Sequence, residues 1–224
     1  MRVCGILISG IGYEDGTSIW DVAYVLKELE RCSAKPLPIV PRISVEKLIP
    51  GPRRKLAPER DFLAEAKLMV RGEVFYIDKV DAKEIDALIV PGGKGPIKIL
   101  SSILKDGVEA MVLPEVRNFI GSVFAHKKPI ATIGYGGVLV SFVLRTRISP
   151  IITIGDDAEM IEILKKIGAD VVKVQPYEVI YDDNSGIFST PGTSPLASLY
   201  RACLGIETMI SELLKCPKKN SEVK

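Results

Sequence analysis

The sequence predicts an α/β domain of the doubly wound type with a mostly parallel central sheet, and three observations lead there. Short continuous apolar runs at residues 3–8, 87–90 and 130–133 lack polar alternation, the pattern of strands buried on both faces. Each run ends at a glycine turn: Ser9-Gly10-Ile11-Gly12, Pro91-Gly92-Gly93 and Gly134. Segments of helical periodicity separate the runs, and no repeat or linker interrupts the 224 residues. The reading is one flavodoxin-like domain over residues 1–215, followed by a polar tail at 216–224.

In chain order, the first strand is followed by a helix ending near Arg31, which Thr17 or Ser18 can cap and to which Trp20, Val22, Val25, Leu26 and Leu29 supply apolar positions. Leu37-Pro38-Ile39-Val40 reads as a strand within a proline-rich, basic stretch. Residues 59–71 have helical periodicity and stop at Gly72. After the strand that ends at Val90, a helix over 114–126 leads into the 130–133 strand. Beyond it the pattern gives a strand at 151–154, a helix at 157–167, a strand at 171–174 and a hairpin of 179–181 with 186–190. Asp183-Asn184-Ser185-Gly186 supplies the turn of that hairpin, and a last helix covers 195–214.

Composition excludes several classes of function. With 30 basic and 28 acidic residues, no global field draws the chain to nucleic acid or an anionic membrane. No apolar run reaches the length of a membrane span, and Met1-Arg2 leads straight into a core strand, so the expectation is a cytoplasmic protein. Cys4, Cys32, Cys203 and Cys216 show no paired spacing and read as bystander thiols. His126, the single histidine, reads as a helix C-terminal residue, and neither a metal nor another cofactor is expected. Arg53-Arg54-Lys55 reads as a solvated loop.

The stretch Lys128 to Leu139 carries the functional question. A strand, a sharp turn at Gly134 and a helix opening at Tyr135 reproduce the geometry of a nucleophile elbow, but the apex residue has no side chain. Gly10 and Gly12 allow close backbone approach to a ligand, although Asp15 stands where a dinucleotide fingerprint needs its third glycine. The amides of Gly92 and Gly93 can form a carboxylate or oxyanion cradle, or simply a tight turn, with Lys94 and Lys98 adding positive charge.

Taken together, Ile-Leu-Ile-Ser-Gly-Ile-Gly, Asp15-Gly16, Asp-Ala-Leu-Ile-Val-Pro-Gly-Gly, the Lys-Pro elbow, Thr153-Ile154-Gly155 and Ser189-Thr190-Pro191 resemble the ElbB family of glyoxalase-like proteins. That family belongs to the PfpI-type, class I glutamine amidotransferase-like superfamily, and the resemblance covers residue 2 to about 215. It implies a flavodoxin-like fold, homodimers, glyoxalase activity on small dicarbonyls, a link to isoprenoid synthesis, and a pocket with an elbow cysteine and a helix glutamate. Carried over, the cysteine falls on Gly134, the glutamate on Asp21 and a second cysteine on Ile11, while Tyr135 stands where many members place histidine.

Three functions follow as expectations. The first is a protein that binds a small carbonyl or anionic metabolite and lacks the nucleophile. The second is an enzyme that uses Asp21 as general base and Tyr135 or backbone amides to polarise a carbonyl. The third is a dimeric interaction protein whose pocket does not matter.

Overall fold

A computed structural model of the chain describes residues 1–43, 60–70, 72–194 and 197–215. The expected loop at Arg53-Arg54-Lys55, the ends of the 59–71 helix, the start of the last helix and the 216–224 tail lie outside the described residues.

Strand β1 (Val3–Leu7) leads to helix α1 (Ile19–Arg31), β2 (Lys35–Val40), α2 (Phe62–Met69) and the short β3 (Phe75–Tyr76). The chain then crosses to β4 (Ala87–Val90), the one-turn helices α3 (Gly95–Lys98) and α4 (Ile103–Asp106), and α5 (Pro114–Ala125). Next come β5 (Ile130–Ile133), α6 (Tyr135–Leu144), β6 (Ile151–Ile152), α7 (Ala158–Lys166) and β7 (Asp170–Val171). The hairpin of β8 (Ile180–Asp182) and β9 (Ile187–Thr190) precedes α8 (Leu199–Leu213).

Seven strands form the main sheet in the order β3-β2-β1-β4-β5-β9-β8. Every neighbour pair is parallel except β8 with β9, so the doubly wound fold expected from sequence is the observed one. Its strands read as unbroken apolar runs because both faces are covered. Leu7, Leu88, Val90 and Ile130 point into one core with Val116, Ile120, Val138 and Leu139. Ile6, Ile8, Ile89 and Ile133 point into the other with Val22, Val25, Ile206 and Ile210.

The order in which strands are added reverses between β1 and β4, which makes their carboxyl edge the switch point where ligands sit in such folds. The turns after β4, β5 and β9 meet there because those strands are neighbours. Gly136, in the first turn of α6, lets the helix press onto the end of β4: a Cβ built there would overlap the Val90 carbonyl.

Several sequence expectations change. The predicted strands at 151–154 and 171–174 shrink to β6 and β7, which pair only with each other, because two short runs on the flank cannot enter the seven-stranded sheet. Helix α1 is capped by Ser18, whose side chain accepts from the Asp21 amide, while Thr17 instead accepts from the Ser9 amide at 2.8 Å. Trp20 is not a core residue but 56% exposed, since its neighbours Asp21 and Val22 take the inward-facing positions of the first turn. Cys4 and Cys203 are free and buried, but Cys32 is disulfide-bonded, a pairing set by the fold that leaves no spacing signature. His126 caps α5 as expected, its Nδ1 2.7 Å from the Ser122 carbonyl oxygen.

The contact at Gly136 gives a direct test of the α6 placement. Gly136→Ala is expected to lower the unfolding free energy by about 3 kcal/mol, the upper range for overpacking against fixed backbone, in urea titration. Gly186→Ala, at a turn glycine with open space around it, is the comparison for the cost of positive φ alone.

Candidate active site

The site is built from the three turns. Gly134 sits between β5 and α6 with φ 49° and ψ −122°, so the nucleophile-elbow backbone is present without its side chain. That conformation strains any residue with a Cβ and suits glycine. A Cβ at Gly134 would stand 3.1 Å from the Pro191 carbonyl oxygen, tight contact that a shift of a few tenths of an ångström relieves.

On either side of the elbow the chain turns at a Pro-Gly pair: Pro91-Gly92 after β4 and Pro191-Gly192 after β9. Asp21 ties these two turns together. Its Oδ2 accepts from the Gly92 amide at 3.0 Å, and its Oδ1 accepts from the Thr193 amide at 3.1 Å and from the Thr193 hydroxyl. Ser18 closes the set, its hydroxyl 2.8 Å from that of Thr193. The spacing follows from helix geometry, since Ser18 as N-cap and Asp21 in the first turn face the same way. Asp21 is 1% exposed, so it is not the helix-surface residue its polarity alone suggests.

Burial pushes the Asp21 carboxyl above its ordinary value, and the hydrogen bonds from Thr193, Gly92 and Ser18 oppose that rise. Tyr135 donates its phenol proton to Asp157 Oδ2 at 2.6 Å, while Asp157 Oδ1 accepts from the Met160 amide and caps α7. Burial first, and then the Asp157 carboxylate, raise the Tyr135 phenol. Tyr13 is raised by burial as well, with a hydrogen bond from Ser194 opposing it.

A cavity of about 660 Å³ opens above these groups, lined by Asp21, Gly92, Gly93, Lys94, Gly134 and Tyr135 among others. Those six sequence-predicted residues are therefore brought together. Gly10 and Gly12 are not among the lining residues: they bond to Thr17, through the Gly10 carbonyl and the Gly12 amide, each at 3.0 Å. The Gly92 amide, read from sequence as part of a cradle for a ligand, is occupied by Asp21. Lys94 pairs with Glu14 at 2.7 Å, and Lys98 with Asp15, so the expected positive charge is locally neutralised.

Sequence reasoning missed Thr193, Ser18 as a partner of the carboxyl, Asp157, Tyr13 and Arg201, all at the site. The available signal was the second strand-Pro-Gly turn, Thr190-Pro191-Gly192-Thr193, which echoes Val90-Pro91-Gly92-Gly93. Arg201, in the first turn of α8, lines the cavity, and its guanidinium has no hydrogen-bond or ion-pair partner among the described residues. The amides that open α6 at Tyr135 and Gly136 precede the first intrahelical bond and add donors on the same side.

The fold is that of a class I glutamine amidotransferase-like domain, shared with ThiJ/PfpI-type structures. No family model matches the chain. Among known proteins it is similar to the ES1 protein homolog, mitochondrial, of Rattus norvegicus, 28% identical over 227 residues, which is 96% of this chain and 84% of the rat protein. The human glutamine amidotransferase-like class 1 domain-containing protein 3, mitochondrial, is 27% identical over 226 residues, 96% of this chain and 83% of that one. A crystal structure from Ehrlichia chaffeensis, described as an isoprenoid biosynthesis protein with amidotransferase-like domain, superposes with a TM-score of 0.85 at 28% identity, covering 96% and 99% of the two chains. A ThiJ/PfpI domain protein from Brachyspira murdochii, at TM-score 0.58 and 15% identity over 96% and 94% of the chains, shares the fold. Among the described residues no helix is long and apolar enough to cross a membrane.

The raised Asp21 carboxyl has a pH signature. Between the ordinary value of 3.8 and its higher folded value, the native state keeps a proton that the unfolded chain has released, so Asp21 lowers stability as pH rises through that window. Asp21→Asn removes this slope. Urea unfolding from pH 4 upward is expected to show the variant gaining on the natural protein with rising pH, over and above any constant offset from the altered hydrogen bonds.

Proposed function

We propose that the cavity over Gly134 binds a small carbonyl or anionic metabolite and performs no thiol chemistry on it. The observation that carries this reading is an elbow backbone retained at φ 49° beneath an open cavity with no side chain at its apex. Family chemistry on glyoxals begins with thiolate addition, and among the described residues no cysteine lines the cavity. Cys4, on the core strand β1, is buried and its thiol pushed up to about 12, so it is not a substitute nucleophile. Trp20 is exposed and Tyr135 stands at the wall, so neither side chain fills the space. Arg201 and the amides opening α6 favour a carboxylate or a polarised carbonyl.

A second reading rests on Asp21. A buried carboxyl with a raised pKa is the kind of group that moves a proton next to a carbonyl without a covalent intermediate. Against it, the oxygens of Asp21 already accept from two amides and a hydroxyl, which suits a structural tie better than a base.

A third reading, a cytoplasmic homodimer acting through its surface, draws on the exposed apolar side chains Ile19 and Trp20 on α1 and Leu199 and Tyr200 on α8, the last 73% exposed.

Calorimetric titration with glyoxylate, pyruvate and lactate tests the first reading. At least one is expected to bind with a dissociation constant below about 1 mM, and Arg201→Ala to weaken it by about tenfold, the effect of losing a charge-assisted hydrogen bond. Saturable binding of none of the three, or full affinity in Arg201→Ala, overturns it.

A further inference from the structure

A second cleft, of about 380 Å³, lies between α5 and the end of α6. Helix α6 starts at the carboxyl end of β5 and runs back along it, so this cleft is at the opposite edge of the sheet from the first cavity. Arg117, Asn118 and Ser122 line it from α5, Thr146 and Arg147 from the turn after α6, and among the described residues no aspartate or glutamate does.

Two guanidinium groups share this cleft without a carboxylate partner among the described residues. Arg147 donates from Nη1 to the Gly121 carbonyl at 3.1 Å. A Cβ on Gly121 would come within 3.7 Å of both terminal nitrogens, so the planar fork lies over bare helix backbone, held by one donor with four left to offer. Cations beyond the carboxyl ends of helices complement the dipole, which accounts for Lys127, Lys128 and Arg145. It does not account for Arg117, the fourth residue of α5, which stands near the positive end of its helix. Two arginines in one cleft repel each other unless an anion lies between them.

We propose that the α5–α6 cleft binds the phosphate group of a small soluble phosphate monoester. A phosphate dianion matches two planar forks, each able to donate twice, where a single carboxylate can satisfy only one. The Ser122 and Thr146 hydroxyls and the Asn118 amide supply neutral donors for the remaining oxygens. The cleft is open to solvent, which leaves the organic part of the ligand outside it. This site stands independently of the first cavity.

Titration of glycerol phosphate into the full chain is expected to give one site per chain, with a dissociation constant below about 1 mM at low salt. Arg117→Gln and Arg147→Gln are each expected to weaken it at least about tenfold, since each removes a bidentate charged partner. Both side chains are exposed, so the folds are expected to survive, as the unfolding midpoints check. Arg201→Gln, at the other edge, is expected to leave phosphate binding unchanged. Four results overturn the proposal: no saturable binding, natural affinity in either cleft variant, loss in Arg201→Gln, or capture by phosphatidic acid vesicles without binding of glycerol phosphate.

Discussion

One carboxyl group holds the carboxyl edge of this sheet in shape. Asp21 reaches from the first turn of α1 to the turns after β4 and β9, which lie on opposite sides of the β5 elbow. A buried carboxyl costs several kcal/mol unless its oxygens find donors, and here two amides and a hydroxyl supply them while burial still pushes the carboxyl above its ordinary value. The backbone around it has no room to rearrange: a Cβ on Gly92 would stand 2.7 Å from Asp21 Oδ2, and one on Gly192 would overlap the Ile133 side chain. Removing the carboxyl therefore frees two turns at once, and with them the walls on either side of Gly134.

The elbow between those walls keeps its geometry although it carries no nucleophile. In a protein with a reactive side chain there, the positive φ is strain held in place by the surrounding structure. Here the residue is glycine and the same φ costs little, so the strain is relieved while the cavity remains. That combination is what the proposed binding role needs. Among the groups facing the cavity are the α6 amides, Tyr135 tied to Asp157, and Arg201, which has no partner among the described residues.

The fold was legible because parallel strands covered on both faces are apolar, as β1 and β4 are and as β5 is except at Thr132, whose hydroxyl donates to the Phe188 carbonyl. The elbow was legible because a single small residue directly between an apolar strand and an apolar helix leaves the chain only a sharp turn in which to reverse. What the sequence hid were relations across the fold. Thr193 lies 172 residues from Asp21, and nothing in either segment announces the other. Trp20 looked like core because it is large and apolar, but the inward-facing positions of that turn go to Asp21 and Val22. Gly10 and Gly12 looked like ligand contacts because a glycine turn after a strand serves equally for close packing; here they accommodate Thr17. Lys94 looked like free charge because its partner, Glu14, lies on a different loop.

The most direct measurement of the central claim is methylglyoxal consumption in thiol-free buffer, with product identified, by the purified natural protein and by Gly134→Cys. A pocket that has kept its shape and lost only its nucleophile predicts no turnover above the buffer blank for the natural protein and measurable turnover for the variant. Turnover by the natural protein would contradict that claim, and its loss in Asp21→Asn would identify the carboxyl as the group responsible.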